Sequence, residues 1–434
     1  MVKPNKHFQK LAIPACLLCT MPAFADVSTE LQSEISYHQS SDDVNKAETT
    51  LRAEWHEQIT ANATFTLIPI AKVDLEDDLH GDEKRAQSYA DINGPLTETR
   101  HNRLELAEAF SDIDMEQLTL RIGKQQVVWG QADGLKVLDV INPQNYREFN
   151  LPDFDDSRIP TWMLNSELRL AENTTAQLLI IPDMTFNELA DRDTTFSITS
   201  PELAPQPNPA IPVTLEKSKR PDEGELETGF RFSTFAAGWD LTANYFYYFQ
   251  DNAVIYRNAG SSGVTVTPEY KRSQLYGLTA SNAFADWVLR LEVGYVKDNY
   301  YLRNDLVNSG IQVSDELSSV TGIDYHGFSD ILISYQFFQS SILDYENSII
   351  RHKDSIKHTL MFKQNALNDT LELRLFALLN RDYNDGQLRG KISMQIDDDW
   401  QVWGSVDNFF GDKEGPFGEF KKSSLVSLGF ATSF

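Results

Sequence analysis

The feature that most constrains this chain is a hydrophobic period of two that recurs along nearly its whole length. Trp287, Leu289, Leu291, Val293 and Tyr295 are apolar, with Arg290, Glu292 and Gly294 between them. Leu371, Leu373, Leu375, Ala377 and Leu379 alternate with Glu372 and Arg374, and Leu388, Ile392, Met394 and Ile396 with Arg389, Lys391 and Ser393. Leu51, Ala53 and Trp55 alternate with Arg52, Glu54 and His56; Trp239, Leu241, Ala243 and Tyr245 with Asp240, Thr242 and Asn244. Successive side chains of a strand point to opposite faces, so the pattern predicts strands with one oily face. Each segment runs about 9–13 residues, enough for a tilted strand to cross a bilayer.

About 18 such segments (16–18) are expected between Thr29 and Phe434, and their connections alternate in length. Short ones fall at Thr60-Ala61-Asn62, Asp112-Ile113-Asp114, Glu172-Asn173-Thr174, Ala236-Ala237-Gly238, Leu367-Asn368-Asp369 and Asp397-Asp398-Asp399. Long ones fall near residues 74–102, 130–160, 184–224, 251–268, 298–314 and 341–354. A soluble sandwich has no reason to sort loops by parity. A barrel with both termini in the periplasm does, with short periplasmic turns and long extracellular loops. The expected fold is all-β, a single transmembrane antiparallel β-barrel in the bacterial outer membrane. Trp239, Trp287 and Trp400 each follow a short turn, where a barrel carries an aromatic girdle. On the last segment Val426, Leu428, Phe430, Thr432 and Phe434 share a face. An alternating strand ending in an aromatic resembles the signal read by the barrel assembly machinery, which makes Phe430 and Phe434 the expected assembly signal.

The first 25 residues read as an export signal. Lys3, Lys6 and Lys10 precede an apolar run from Leu11 to Thr20, and Ala23-Phe24-Ala25 supplies the cleavage pattern. A lipoprotein cysteine at Cys16 is the weaker alternative. The mature barrel would occupy residues 26–434 as one domain. Cys16 and Cys19 both lie in the signal, which leaves the mature chain without a disulfide or thiolate site. Loss of three lysines moves the net charge from −26 to −29, a balance that repels nucleic acid.

The inward face is expected to carry both signs: Arg52, Arg121, Arg169, Arg231, Arg290, Arg374 and Arg389 against Glu54, Glu105, Glu167, Glu292 and Glu372. Two readings stand here. The groups are ion pairs that stiffen the wall, or the arginines form a ladder for an anionic solute. After the strand ending in Trp129-Gly130 some 30 residues lack clear alternation, long for an ordinary connection. Leu135, Val137, Leu138, Val140 and Ile141 make this stretch too apolar for outer water. Residues 130–160 are therefore expected to fold inward as a constriction or plug, with Trp129, Gly130, Asn142 and Pro143 as its motif positions. The alternative is a loop packed over the barrel mouth.

The run Gly123-Lys124-Gln125-Gln126-Val127-Val128-Trp129-Gly130, with Ile141-Asn142-Pro143, resembles a signature of a broad group of uncharacterised bacterial outer-membrane barrels. More distantly it is similar to alginate-export porins and other 18-stranded substrate-specific channels. Some members of that group are encoded with RND-type permeases and a lipoprotein-carrier-like periplasmic protein. The resemblance therefore implies a hydrophobic or lipid-like cargo and a periplasmic carrier or permease as partner.

The leading functional expectation is a channel moving a specific small or hydrophobic, lipid-like solute across the outer membrane. The alternative is a non-conducting barrel acting as receptor or as outer-membrane partner of an RND-type export complex. An enzyme is disfavoured: there is no G-x-S-x-G and no H-E-x-x-H, and Gly260-Ser261-Ser262-Gly263 reads as a loop tip. No cofactor or metal site is expected. The acidic stretch Asp74–Asp78 with Asp82 and Glu83 lacks EF-hand spacing and reads as solvated, with Ca²⁺ binding beside lipopolysaccharide the alternative. Other expected partners are the outer-membrane lipids and lipopolysaccharide.

Overall fold

A computed structural model describes residues 25–41, 43–76, 88–192, 194–205, 208 and 210–434. Residues 1–24 of the expected export signal, both cysteines among them, and the acidic residues Asp77, Asp78, Asp82 and Glu83 lie outside the described residues. Among the described residues eighteen strands form the barrel wall. They are β1 Ala25–His38, β2 Val44–Thr60, β3 Ala63–Asp74, β4 Asn102–Asp114, β5 Leu118–Gln125, β6 Thr161–Ala171, β7 Thr174–Ile181, β8 Glu227–Ala236 and β9 Trp239–Phe249. The circuit continues with β10 Arg272–Phe284, β11 Trp287–Leu302, β12 Ile311–Phe328, β13 Ile331–Ile342, β14 Asp354–Ala366, β15 Leu371–Asn380, β16 Asp385–Gln395, β17 Trp400–Phe410 and β18 Leu425–Ser433.

Each strand pairs antiparallel with the next, and β18 pairs with β1 from Glu30↔Ser433 to His38↔Leu425. At the seam Thr29 N–H donates to the Phe434 carbonyl (3.1 Å) and Phe434 N–H to that of Thr29 (2.9 Å). Hydrocarbon offers no hydrogen-bond partner, so a sheet in a membrane must close in this way. The order is inside out relative to a soluble protein. Val293, Leu375, Leu388, Ile392 and Leu428 are exposed on the outer face, whereas Glu292, Gln336 and Gln387 are buried within. Such a closed barrel with an apolar outer belt and polar inner wall is an integral outer-membrane β-barrel.

One end of the barrel carries tight turns. The β8–β9 turn is Ala237-Gly238 at φ 52° and 86°, the left-handed pair that a twisted two-residue hairpin needs. The β4–β5 turn falls at residues 115–117, three places beyond the Asp112–Asp114 expected from sequence. Asp112 instead continues β4 and binds Arg121 across the ladder, so its charge signals a wall ion pair and not a turn. The girdle tryptophans stand at this end and pack on aromatics of the next strand: Trp239 on Phe284 (5.9 Å between centroids), Trp287 on Tyr325 (4.4 Å) and Trp400 on Phe430 (5.8 Å). The connections at the other end include residues 126–160, 182–226 and 411–424.

Gly429 lies on β18 at the seam, where a Cβ would overlap the Trp403 ring and approach the Ser33 carbonyl oxygen to 2.8 Å. Overpacking of this kind costs about 1–3 kcal/mol. Gly429→Val is therefore expected to lower the fraction that shows heat-modifiable migration in detergent. Wild-type migration of that variant would contradict the tightness of the closure.

Candidate functional site

Residues 126–160 begin where β5 stops pairing at Gln125 and end where β6 starts at Thr161. Asn142 ties the two feet of this segment together. Its Oδ1 accepts Val127 N–H (2.7 Å), and its Nδ2 donates to the carbonyls of Gln125 (3.2 Å) and Ile159 (3.1 Å). The neighbouring Pro143 carbonyl accepts Ile159 N–H (2.7 Å). Buried backbone groups must find partners, and one amide side chain here satisfies three that the wall ladder cannot reach.

From these feet the segment lies against inward-facing side chains all around the wall. Trp129 is 1% exposed and donates from Nε1 to Gln177 Oε1 on β7 (2.8 Å). Glu292 on β11 accepts Gln131 N–H (2.8 Å) and Leu138 N–H (2.6 Å) through its two oxygens. Asp133 N–H donates to Gln336 Oε1 on β13 (3.0 Å), and Asp133 pairs with Arg290 (2.7 Å). Asn150 Nδ2 donates to Gln387 Oε1 on β16 (2.7 Å), and Glu148 pairs with Lys46 on β2 (2.7 Å). β2, β7, β11, β13 and β16 are spread around the barrel, so the segment crosses its interior.

Packing follows the same course. Leu138 sits over Gly277 and Trp129 over Gly229; a Cβ at either glycine would come within 2.7 and 2.8 Å of these side chains. Around them Val127, Ile141, Met163, Leu179, Ile181, Phe246, Tyr248 and Leu275 form one apolar cluster on the β6–β10 arc. On the opposite arc Phe149 meets Phe409, Phe417 and Phe420 with centroids 6.0, 5.6 and 4.6 Å away. Phe196 from residues 182–226 joins that second cluster beside Leu378. Phe149, Phe196, Phe417 and Phe420 escaped the sequence reading because they lie outside any alternating run.

The seven arginines separate into groups. Arg52 pairs with Glu54 (2.9 Å), Arg121 with Asp112 (2.7 Å) and Arg389 with Asp407 (2.7 Å). Arg374 pairs with Glu372 (3.1 Å) and reaches Asp153 of the crossing segment (3.8 Å). Arg290 bridges Asp133 to Asp324 on β12 (2.9 Å) and donates to the Gln131 carbonyl (2.7 Å). Arg389 also donates to the Leu151 carbonyl (2.6 Å), and Arg231 to that of Val128 (3.3 Å). Arg169 lies exposed near the tight turns. Glu167 accepts Gln177 Nε2 (3.1 Å), and Glu105 pairs with the buried Arg103 (2.7 Å). Gly130 runs beside Asp139, whose carboxylate holds Arg158 (2.9 Å) within the segment.

Beyond the strands, Asn187 links three segments: its Oδ1 accepts Gln144 N–H (2.7 Å), its N–H donates to the Asp251 carbonyl (3.2 Å) and its Nδ2 to Asn252 Oδ1 (3.0 Å). Burial pushes the Asp251 carboxyl up to about 8, offset in part by Lys136.

A family model described as a protein of unknown function (DUF1302) matches residues 34–333, and the chain belongs to that family. No curated protein sequence matches it. Among solved structures it is similar to Acinetobacter baumannii OccAB3, with a TM-score of 0.52 at 10% identity over 94% of this chain and 99% of that one. It is likewise similar to the outer membrane protein OpdK of Pseudomonas aeruginosa (0.51, 9%, 94% and 98%) and to OccK5 of the same organism (0.51, 6%, 95% and 97%). At such identities the likeness is one of fold.

Two outcomes are expected. Asn142→Ala leaves buried backbone groups without partners, a cost of about 1–3 kcal/mol each. Hydrogen exchange and protease cleavage within residues 127–159 should rise while the wall strands stay protected; an unchanged pattern would remove Asn142 from this role. The Asp251 carboxyl holds its proton in the folded state above the 3.8 at which it ordinarily ionises, so folding takes up a proton. Stability should fall as pH rises through that value to about 8, and Asp251→Asn should flatten this part of the thermal-midpoint profile.

Proposed function

We propose that this member of the family is a solute-selective outer-membrane channel whose narrowest part is made by residues 126–160. The observation that carries this reading is the set of polar anchors on widely separated strands, from Gln177 through Glu292 and Gln336 to Gln387 and Lys46. A segment held on so many sides cannot swing clear as a rigid flap. Passage requires a path beside it or a local rearrangement of it.

The solute we propose is apolar or amphipathic. Five of the seven arginines expected to face inward have a carboxylate partner, which weakens their pull on a free anion. The inner wall at the level of the crossing segment is instead lined by the two apolar clusters. A periplasmic carrier or RND-type permease would suit such a cargo. The structural neighbours with the same fold include the outer membrane protein OpdK of Pseudomonas aeruginosa, which supports the transport part of the reading.

Deleting residues 131–158 should raise single-channel conductance in planar bilayers several-fold. Equal conductance of the deletion and the wild type would overturn the constriction. Absence of current in both would favour the non-conducting partner role.

A further inference from the structure

The wall is not equally tall all round. β5 and β7 have 8 residues each, against 13 in β4 and 17 in β2. A tilted strand needs about 9–11 residues to cross the hydrocarbon. β5 is short because its chain turns inward at Gln126, so the β4–β5 ladder stops at Ala109↔Lys124. The stretch of β4 from Asn102 to Glu108 therefore has no partner from β5.

This break is covered by chain from residues 88–98. Thr97 and Glu98 pair antiparallel with Leu104 and Arg103 of β4. Asn93 Nδ2 donates to the Pro160 carbonyl (3.0 Å) and Thr185 Oγ1 (3.0 Å), and Trp162 Nε1 donates to the Ile92 carbonyl (2.8 Å). The cover presents Ile92 (61% exposed) and Leu96 (65%), and the flanking strands expose Leu104 and Ile122. Inside the same arc stands the apolar cluster of Val127, Trp129, Ile141 and Met163.

Lys124 marks the break. Along β5 it shares the outer face with Leu120 and Ile122, since Arg121 and Gly123 pair with Asp112 and Phe110 of the inner face. Yet it is 5% exposed beneath the cover. Its ammonium donates to the Leu106 carbonyl of β4 (2.6 Å) and the Asn93 carbonyl (3.4 Å). Among the described residues no carboxylate lies within ion-pair distance of it. A buried ammonium without a counterion is costly, and here it joins the cover to the wall through carbonyl oxygens alone.

We propose that this low, loop-covered arc is a side opening to the outer leaflet. A long-chain carboxylate passes there between membrane and lumen, its head group exchanging with the carbonyls for Lys124. The inference rests on the channel reading above and adds a route and a head-group chemistry to it.

The experiment locks the cover. Residues opposite one another in an antiparallel pair have Cα atoms about 4.5–5.5 Å apart, within disulfide reach. Thr97→Cys with Leu104→Cys forms the lock, and the chain has no other cysteine beyond Cys16 and Cys19. In proteoliposomes, oxidation should cut transfer of a fluorophore-labelled long-chain fatty acid to the rate of protein-free vesicles. Ionic conductance should stay unchanged, and dithiothreitol should restore transfer. Equal transfer in the oxidised and reduced forms overturns the side opening, while conductance of the 131–158 deletion judges the channel reading separately. Lys124→Met should slow fatty-acid transfer about tenfold or more, the worth of one charge-assisted hydrogen bond, and leave the matching fatty alcohol unaffected. Equal effects on acid and alcohol, or none, overturn the head-group role.

Discussion

Everything in this structure follows from the need to pair every backbone N–H and C=O that faces hydrocarbon. An unpaired group there costs several kcal/mol, so the sheet returns upon itself and β18 meets β1. The pairing from Glu30↔Ser433 to His38↔Leu425 is the condition for all other strands to stay in lipid. Once the ring is closed, alternation assigns each residue to oil or lumen, and a slip of one place would exchange the two sets. The register shift between Ile68 and Pro69 shows how the ladder absorbs a residue that cannot donate.

Closure also creates the second problem, a wide polar interior. In this chain the interior is filled from one end. The crossing segment brings backbone N–H groups to Glu292 and Gln336, carbonyls to Arg290 and Arg389, and apolar side chains to glycine-lined and phenylalanine-lined stretches of wall. The wall charges thereby act as anchors for chain as well as partners for each other. Glu292 is the clearest case: on a strand its carboxylate would be a lumen charge, yet both oxygens are taken by main-chain donors of the segment.

The same inward turn explains the unevenness of the wall. A chain that leaves β5 at Gln126 to enter the lumen cannot also extend the ladder beside β4. The strand that leads into the crossing segment is therefore the strand that leaves the adjoining arc to be covered by loop. Crossing segment and low arc are two consequences of one change of direction, stabilised at its base by Gln125 and Asn142. Gln125 Nε2 donates to the Gly123 and Met163 carbonyls (3.3 and 3.2 Å) in support of that bend.

The architecture was legible in the sequence because the period of a strand is short and local. Trp287 to Tyr295, or Leu388 to Ile396, declares its outer face within nine residues, and tight turns such as Ala237-Gly238 declare themselves by composition. Residues 130–160 also stood apart from the other connections by their length and by the apolar run from Leu135 to Ile141. The partners of that segment were not legible. Gln177, Gln336, Gln387 and Lys46 are ordinary inward polar residues by pattern, separated from it by up to 237 positions. Asp112 looked like a turn and proved to be half of a wall pair. Periodicity determines which way a side chain points. What it points at depends on which strands the closed ring sets opposite one another, and only the tertiary structure decides that.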